Sequence, residues 1–563
     1  MTETPEEQLS PKKEITAEEF IKIWKGEYKG VKGYDHYYID NKVSIIGHKI
    51  IDDVQIVDTT LMDIGLENTF FKRSITINKS IIQEIRINNS RLNYLYLADC
   101  SNVNLSITIE KSSIRGIQLI DSTISSFLMA NVYGMFNISL QKVDIRLIYI
   151  TECTLSSFST YNSQIDKIDI SQSASRNILF DNVEVKSELY INKQSNLGNI
   201  NILNHSTIEK MWLRDSVTSP RIHFKESTIK KALFGKGTTI GVLFINSLTS
   251  AGSSIDIHCA IIDKLKIDTD NPCKVFVTGE VSDRTIINEL ILKHTVMPGD
   301  MHLNISDTDI NNICFDSFVN SGRIIFNNIR PATDIKIFQT TEEFNEPVRK
   351  DSGEYVYENI TLGSIVEITN SDLGNTQFIG CDLDLFDDFV FENSKILNVF
   401  IADTFLPKKE NINKEYPKDY EQQRLILNQF KKIFENQGDS VRASEYHAQE
   451  LDVYKKQLRF KEKPWTWLIL WLSSITSDFG QNIWKPLASL LTVHYWLYMW
   501  TLGVNAIDIK NCQEVIHYYF YLANPLHQYI FCNDWTIIID ILMRIWSSYM
   551  IYNFIRASRR FIK

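Results

Sequence analysis

The chain has 563 residues, of which 44% are hydrophobic and 23% are charged, and its formal net charge is −10. From residue 406 onward there are 20 basic and 15 acidic residues, so the preceding part has 39 basic and 54 acidic ones, a balance of −15. Nucleic-acid binding would require a basic stripe on the protein. The composition therefore predicts an acidic body with a basic tail and no nucleic-acid partner.

The N-terminal 43 residues are predicted to form a polar tail and a helical cap. Residues 1–14 are charged and polar and contain no apolar core of a secretory signal, which favours a cytosolic N-terminus. Thr16 and Glu19 make a capping-box pattern that opens a short amphipathic helix through Phe20, Ile23 and Trp24. We interpret this helix as a plug for the body that follows, with a partner-binding helix as the alternative.

Residues 44–406 repeat a pattern of about ten residues. Small side chains recur at Ser80, Ser90 and Cys100, and apolar ones recur at positions 82, 85 and 87 and again at 92, 95 and 97. This interval is twice that of the narrow four-sided coil of pentapeptide repeats, in which apolar side chains stack from turn to turn and small residues occupy corners. It predicts a mainly β fold, a right-handed parallel β-helix. A β-sandwich is the alternative, but it would show strict alternation.

Two segments of this body need separate interpretation. The rhythm weakens near residues 331–363, which predicts an insertion or long loop. The segment 235–239 has the sequence Gly-Lys-Gly-Thr-Thr but lacks the first glycine of a phosphate-binding loop, so we read it as a solenoid turn.

The cysteines of the body are scattered singly without a CxxC pair, which predicts reduced packing residues and no metal site.

Residues 407–463 are predicted to form a charged linker and an αα-hairpin. Ile426, Phe430 and Ile433 make one apolar stripe, and Gly438 suits the left-handed position at the end of a helix. A second helix follows Asp439. One such pair is too short for a helical-repeat array, so a connector is the better interpretation.

Residues 464–563 have the composition of a membrane region. We predict an interfacial helix and two transmembrane helices at 486–507 and 535–555, each long enough to cross a hydrocarbon core of about 30 Å. A buried helical hairpin in a soluble core is the alternative. Tryptophans, which favour headgroup depth, are concentrated here: Trp465, Trp467, Trp471, Trp484, Trp496, Trp500, Trp535 and Trp546.

Basic residues lie before the first predicted span and after the second, whereas the loop between them holds only Lys510. The positive-inside rule then places both termini in the cytosol and the loop outside. Cys512 and Cys532 both lie in this loop, where they could form a disulfide or remain two free thiols.

Asp540 and Arg544 are the charged residues within the two predicted spans, four residues apart on one helical face. Such an intramembrane pair could line a pore or hold helices together in a homo-oligomer. The loop contains His517, Asn524, Pro525 and His527 but no glycine, which excludes a potassium filter built from a glycine-containing TVGYG-like run. An interfacial aromatic helix is the better prediction for this segment, and the two histidines lack a third metal ligand.

The C-terminal part resembles a known family. Residues 400–404, Phe-Ile-Ala-Asp-Thr, are followed by a helical segment that begins Tyr-Glu-Gln-Gln-Arg at 420 and by Asn524-Pro525 before a final helix ending near Arg560 and Phe561. This order is similar to that of bacterial, Bacteroidetes-like, pentapeptide-repeat-related membrane proteins, whose C-terminal part has the layout of a two-span ion-channel module. The resemblance implies the bacterial inner membrane and no established enzymatic activity.

The sequence therefore predicts a membrane-anchored interaction scaffold or sensor that presents a cytosolic, acidic β-solenoid to a protein partner. The alternative is a pore-forming or ion-conducting protein gated by its solenoid. A carbohydrate-active β-helix enzyme is a third and weaker alternative. We expect no catalytic residues, no cofactor and no metal, and we expect the lipid bilayer as a partner.

Overall fold

The computed structural model describes residues 13–24, 36–39, 42–50, 52–100, 102, 104–249, 252–269, 271–332, 335–338, 357–360, 363–414, 419–503, 512–530 and 536–558. Their contacts divide into two units, one of residues 1–389 and 401–407 and one of residues 390–400 and 408–563.

The first unit is a parallel β-solenoid of about 15 turns within the described residues, which confirms the predicted fold class at that level. Right-handedness remains a prediction. Strands early in the chain are Lys13–Ile15, His36–Ile39, Lys42–Ile46, His48–Ile50, Val54–Val57, Thr60–Glu67, Phe70–Phe71, Ile75–Asn78, Ile81–Asn88, Arg91–Ala98, Ser106–Glu110, Ser113–Ile120, Thr123–Ala130, Phe136–Gln141, Asp144–Thr151, Thr154–Tyr161, Gln164–Ser171, Ala174–Asp181 and Glu184–Asn192. Later strands are Asn196–Leu203, Thr207–Leu213, Thr218–Lys225, Thr228–Phe234, Thr239–Asn246, Ser253–His258, Ile261–Asp268, Cys273–Thr278, Thr285–Lys293, Val296–Met297, His302–Ser306, Thr308–Asp316, Val319–Asn320, Arg323–Asn327, Ile335–Phe338, Tyr357–Ile360, Ile365–Thr369, Gln377–Ile379, Asp388–Glu392 and Phe400–Ala402.

From Ile81–Asn88 to Ile261–Asp268, each strand pairs in parallel with the strand two places later, so successive strands alternate between two sheets. Ile145 pairs with Ile165, whereas Leu265 pairs with Leu290, so the length of a turn varies along the chain. Pairing skips Asn93 in the strand Arg91–Ala98. That interruption explains why buried positions are spaced by three and then by two, as at Leu92, Leu95 and Leu97.

The corners between strands combine a left-handed residue with a buried small one. Asn89 has φ of +46°, and Ser90, which follows it, is fully buried. The Ser90 hydroxyl donates to the carbonyl of Asn88 at 2.8 Å and accepts from the backbone N–H of Thr69, one turn earlier, at 3.0 Å. The ten-residue repeat therefore marks the corners of the solenoid. At these corners a small hydroxyl side chain forms hydrogen bonds with buried backbone groups where the chain bends.

The predicted insertion falls where neighbouring turns are farther apart in sequence. Ile313 pairs with Val366 and Ile325 pairs with Gln377, and both intervals are much longer than those elsewhere in the solenoid. Within both intervals, the strands Ile335–Phe338 and Tyr357–Ile360 pair with each other in the antiparallel direction. Residues 339–356 lie outside the described residues.

The N-terminal helix α1, Ala17–Trp24, begins with the predicted capping box. The Thr16 N–H donates to the Glu19 carboxylate at 2.8 Å, and the Glu19 N–H donates to the Thr16 hydroxyl at 3.2 Å. Phe20 is fully buried and packs edge-on against Phe71, with ring centroids 5.6 Å apart. This contact covers apolar surface of an early turn.

The second unit contains helices α2 Tyr420–Gln437, α3 Ser440–Gln457, α4 Pro464–Ser477, α5 Trp484–Gly503, α6 Cys512–Ala523 and α7 Ile537–Ser558. Gly438 ends α2 with φ of +79°, and the Asp439 side chain caps α3. Phe430 and Phe434 of α2 pack on Tyr446 of α3 at 5.3 and 5.6 Å, so the αα-hairpin has its own small core.

The two predicted spans correspond to α5 and α7, although residues 504–507 and 535 lie outside the described residues. Among the helices that the structure describes, none combines the length and the apolarity needed to cross a membrane. The two-span prediction is therefore not supported by these helices.

Candidate functional site

Helix α7 buries polar as well as apolar side chains and exposes a largely apolar face. Its buried face includes Asp540, Ser547 and Asn553, whereas Ile538 and Ile545 are each 62% exposed. Helix α5 repeats the pattern, since His494 and Thr501 are buried and several aromatic side chains are exposed. The large exposed apolar side chains of these two helices are Trp484, Leu491, Tyr495, Trp496, Met499, Trp500, Ile537, Ile538, Ile541, Leu542, Ile545, Ile551, Tyr552, Phe554 and Ile555.

The predicted pair of Asp540 and Arg544 forms on α7, with Arg544 Nε donating to Asp540 Oδ2 at 2.7 Å. Asp540 lies in the first turn of the helix, where the helix dipole favours a carboxylate. Its other oxygen, Oδ1, is 2.6 Å from Nε2 of His527. The structure therefore brings one of the predicted loop histidines onto the charge pair.

His527 is held in place from both sides of its ring. Its Nδ1 is 2.6 Å from the carbonyl oxygen of Asn524, and its side chain is fully buried. The Asn524 side chain accepts from the N–H of Leu526 at 3.0 Å, which forms a tight turn around Pro525 at the end of α6. These contacts join the end of α6 to the first turn of α7.

Of the remaining predicted loop residues, the structure describes the side chain of His517. His517 is exposed on α6 and stacks on Tyr521 of the same helix, with centroids 6.3 Å apart. Cys532 lies outside the described residues and the side chain of Cys512 is not described, so the proposed disulfide stays a prediction.

A second cluster, which we did not predict, lies at one corner of the solenoid. His258 Nε2 is 3.5 Å from Cys259 Sγ and 3.5 Å from Glu280 Oε1. Within the part of the chain that the structure describes, it is the one group of three such side chains whose ligand atoms converge, all lying within 4.8 Å of one another. Burial raises the pKa of the Cys259 thiol.

The solenoid register builds this cluster. His258 ends the strand Ser253–His258, and its partner one turn later is Thr278, the last residue of Cys273–Thr278. Glu280 follows Thr278 by two residues and so lies beside the preceding corner. Lys236 and Asp283 form an ion pair of 2.7 Å nearby, which ties the glycine-containing turn at 235–239 to the same region.

Sequence reasoning missed this cluster because Glu280 lies a full solenoid turn beyond His258 and Cys259, a spacing that matters only once the turn length is known. One signal was available. The residue before the buried corner position is polar in most turns, as at Asn89, Asp99 and Lys111, whereas here it is Cys259.

Comparisons with known proteins leave the chain without an assigned relative. No protein-family model matches it, no curated protein matches it, and no solved structure matches it.

Proposed function

We propose that this protein is a membrane-anchored scaffold or sensor, in which the helices α4–α7 attach to a lipid bilayer and the acidic solenoid is presented to a protein partner. The observation that carries the proposal is the exposed apolar face of α5 and α7. Polar side chains are buried between helices while isoleucines, tryptophans and tyrosines face outward.

Such a surface is unfavourable in water, because burial of apolar area stabilises a side chain by about 25 cal/mol per Å². Contiguous apolar patches on soluble monomers rarely exceed a few hundred Å², and larger ones mark membrane or protein contacts. Attachment in the plane of the membrane requires an apolar face that enters the acyl region. It does not require a segment that crosses the bilayer.

Two features favour lipid over a protein as the occupant of this surface. Tryptophan and tyrosine are abundant on it, and amphipathic rings prefer the headgroup region. Arg459, Lys461 and Lys463 are exposed directly before α4, where they can meet the anionic lipid of a cytosol-facing leaflet. Location in a bacterial inner membrane and oligomerisation through the helices stay predictions.

The scaffold role is supported by the solenoid itself. Stacked repeats create extended surfaces on which a partner can bind along many turns. Residues before 406 carry a balance of −15, so a partner with a basic surface is favoured. The alternative of an ion-conducting protein also stays a prediction, and no contact in the described helices favours it over attachment.

Flotation with liposomes tests the attachment. The purified full-length protein, transferred from detergent to liposomes containing anionic lipid, should float with them through a density gradient. Ile538→Glu combined with Ile545→Glu should reduce flotation strongly, because both side chains are exposed on α7. The matched control is Ile81→Glu, an exposed apolar position of the solenoid, which should float like the wild type.

Two results would overturn the membrane assignment. One is a wild-type protein that remains soluble without detergent and does not float. The other is a detergent-free oligomer in which the same two substitutions abolish self-association and lipid has no effect, since a second copy would then cover the surface.

A further inference from the structure

The corner formed by His258, Cys259 and Glu280 has the chemistry of a transition-metal site. Thiolate sulfur, imidazole nitrogen and carboxylate oxygen are the three donor types that Zn²⁺ takes in proteins. All three are present at one place on the solenoid surface, and they come from two successive turns.

Two of the three separations fit tetrahedral coordination, and the third, between Cys259 Sγ and the Glu280 carboxylate, is at most 4.8 Å. With a Zn–S bond of about 2.3 Å and a Zn–N bond of about 2.0–2.1 Å, two donors at the tetrahedral angle are about 3.5 Å apart. Cys259 Sγ and His258 Nε2 are separated by 3.5 Å, and so are His258 Nε2 and Glu280 Oε1. An ion can therefore be accommodated with small side-chain adjustments.

The histidine ring is oriented as a metal ligand requires. Its Nδ1 is 3.1 Å from the hydroxyl of Thr278, and that hydroxyl donates its own proton to the carbonyl of Ile257 at 3.4 Å. The hydroxyl oxygen is then the acceptor for Nδ1–H, which leaves Nε2 to face the thiol and the carboxylate. Metal-bound histidines commonly donate their second N–H to an oxygen in this way.

The position of the cysteine is unusual for a packing residue. Cys100, Cys153 and Cys381 take the small inward place that serine takes at other corners, and each points its sulfur at backbone carbonyls. Cys259 instead occupies the left-handed residue of its corner and is 5% exposed. Neither the left-handed conformation nor the packing of the solenoid interior requires a thiol at this position.

We propose that His258, Cys259 and Glu280 bind a zinc ion, with a water molecule or an external ligand as the fourth donor. The ion joins the corner of one turn to the corner of the next. Three protein ligands with one exchangeable position is the arrangement that keeps a zinc ion open to further ligands.

Zinc and cobalt binding by the full-length protein in detergent test the proposal. After treatment with a chelator, the wild type should take up a single equivalent of Zn²⁺, measured by elemental analysis after desalting. Co²⁺ should produce a thiolate-to-cobalt charge-transfer absorption in the near ultraviolet. Cys259→Ser should remove that absorption and weaken zinc affinity by at least about tenfold, measured by competition with a chromophoric chelator.

Matched variants keep the result interpretable. Cys153→Ser places serine at a corner position that serine occupies elsewhere in the solenoid, so it should bind metal like the wild type. Glu280→Gln changes an exposed side chain and should fold normally while losing about tenfold in affinity. A wild type that retains no zinc, or a Cys259→Ser protein with a wild-type circular dichroism spectrum and wild-type affinity, would overturn the proposal.

Discussion

At the scale of single residues, the solenoid depends on close approach between successive turns. Gly198 shows this most clearly, since a Cβ at that position would lie 1.8 Å from the carbonyl oxygen of Arg176 on the neighbouring turn. The obstacle is backbone, which cannot move away without breaking the ladder between the two strands. Gly116 differs, because its added Cβ would meet the ring of Tyr94 at 2.7 Å, and that side chain is 51% exposed.

We therefore predict opposite outcomes for two glycine substitutions. Gly198→Ala should lower the free energy of unfolding by at least about 2 kcal/mol, because overpacking forces a backbone shift. Gly116→Ala should cost less than about 1 kcal/mol, since the Tyr94 ring can rotate into solvent. Denaturant unfolding followed by circular dichroism measures both values, and equal losses would show that the turns are spaced differently from the structure.

The corner residues show how much of this could be predicted from sequence. The positions of Ser80, Ser90 and Cys100 predicted the repeat, because many buried corners hold a small side chain with a hydrogen-bonding group. The inward-facing apolar positions could be predicted from the same ten-residue repeat. The cluster of His258 with Glu280 could not be predicted, because turns differ in length along the chain and the register between distant turns is lost.

At the scale of elements, α7 combines an apolar outer face with a charged contact at its first turn. The pair of Asp540 and Arg544 was predictable from its spacing of four residues. The contribution of His527 was not, because it depends on the turn around Pro525 that brings the end of α6 back to α7. Periodicity contains no information on such a turn.

The Asp540 cluster predicts a compensating pair of substitutions. Asp540→Asn leaves Arg544 without its counter-ion, and Arg544→Gln leaves the buried Asp540 carboxylate with one partner fewer, so each should lower the melting temperature in detergent. The double variant should recover part of the loss, because neither residue is then charged. Thermal melting of the four proteins measures the coupling.

The result also separates two roles for the cluster. A double variant no more stable than the worse single one would mean that the two side chains act independently. Ser558→Ala, at the opposite end of α7, is the control, and it should leave the melting temperature unchanged because its hydroxyl is exposed.

At the scale of the whole molecule, the segment that connects the solenoid to the helices alternates between the two units. Residues 390–400 associate with the helical unit, whereas residues 401–407 return to the solenoid unit. The predicted boundary at 406–407 misses this exchange, because a composition change marks where charge and polarity shift and not where contacts are made. Phe391 packs perpendicular to Phe430 at 6.1 Å, and the N–H of Ile396 donates to Gln429 at 2.7 Å.

This alternation predicts different behaviour for two shortened proteins. A chain ending at Gln457 retains α2 and α3 and removes the apolar surface of α4–α7. It should therefore be soluble without detergent and give a β-rich circular dichroism spectrum with a helical component.

A chain ending at Pro407 also lacks the apolar tail, but Phe391 then has no Phe430 to pack against and Ile396 has no acceptor from Gln429. It should melt several degrees lower than the longer protein. A predominantly helical spectrum from either protein would contradict the solenoid, and equal melting temperatures would show that residues 390–400 gain nothing from the helices.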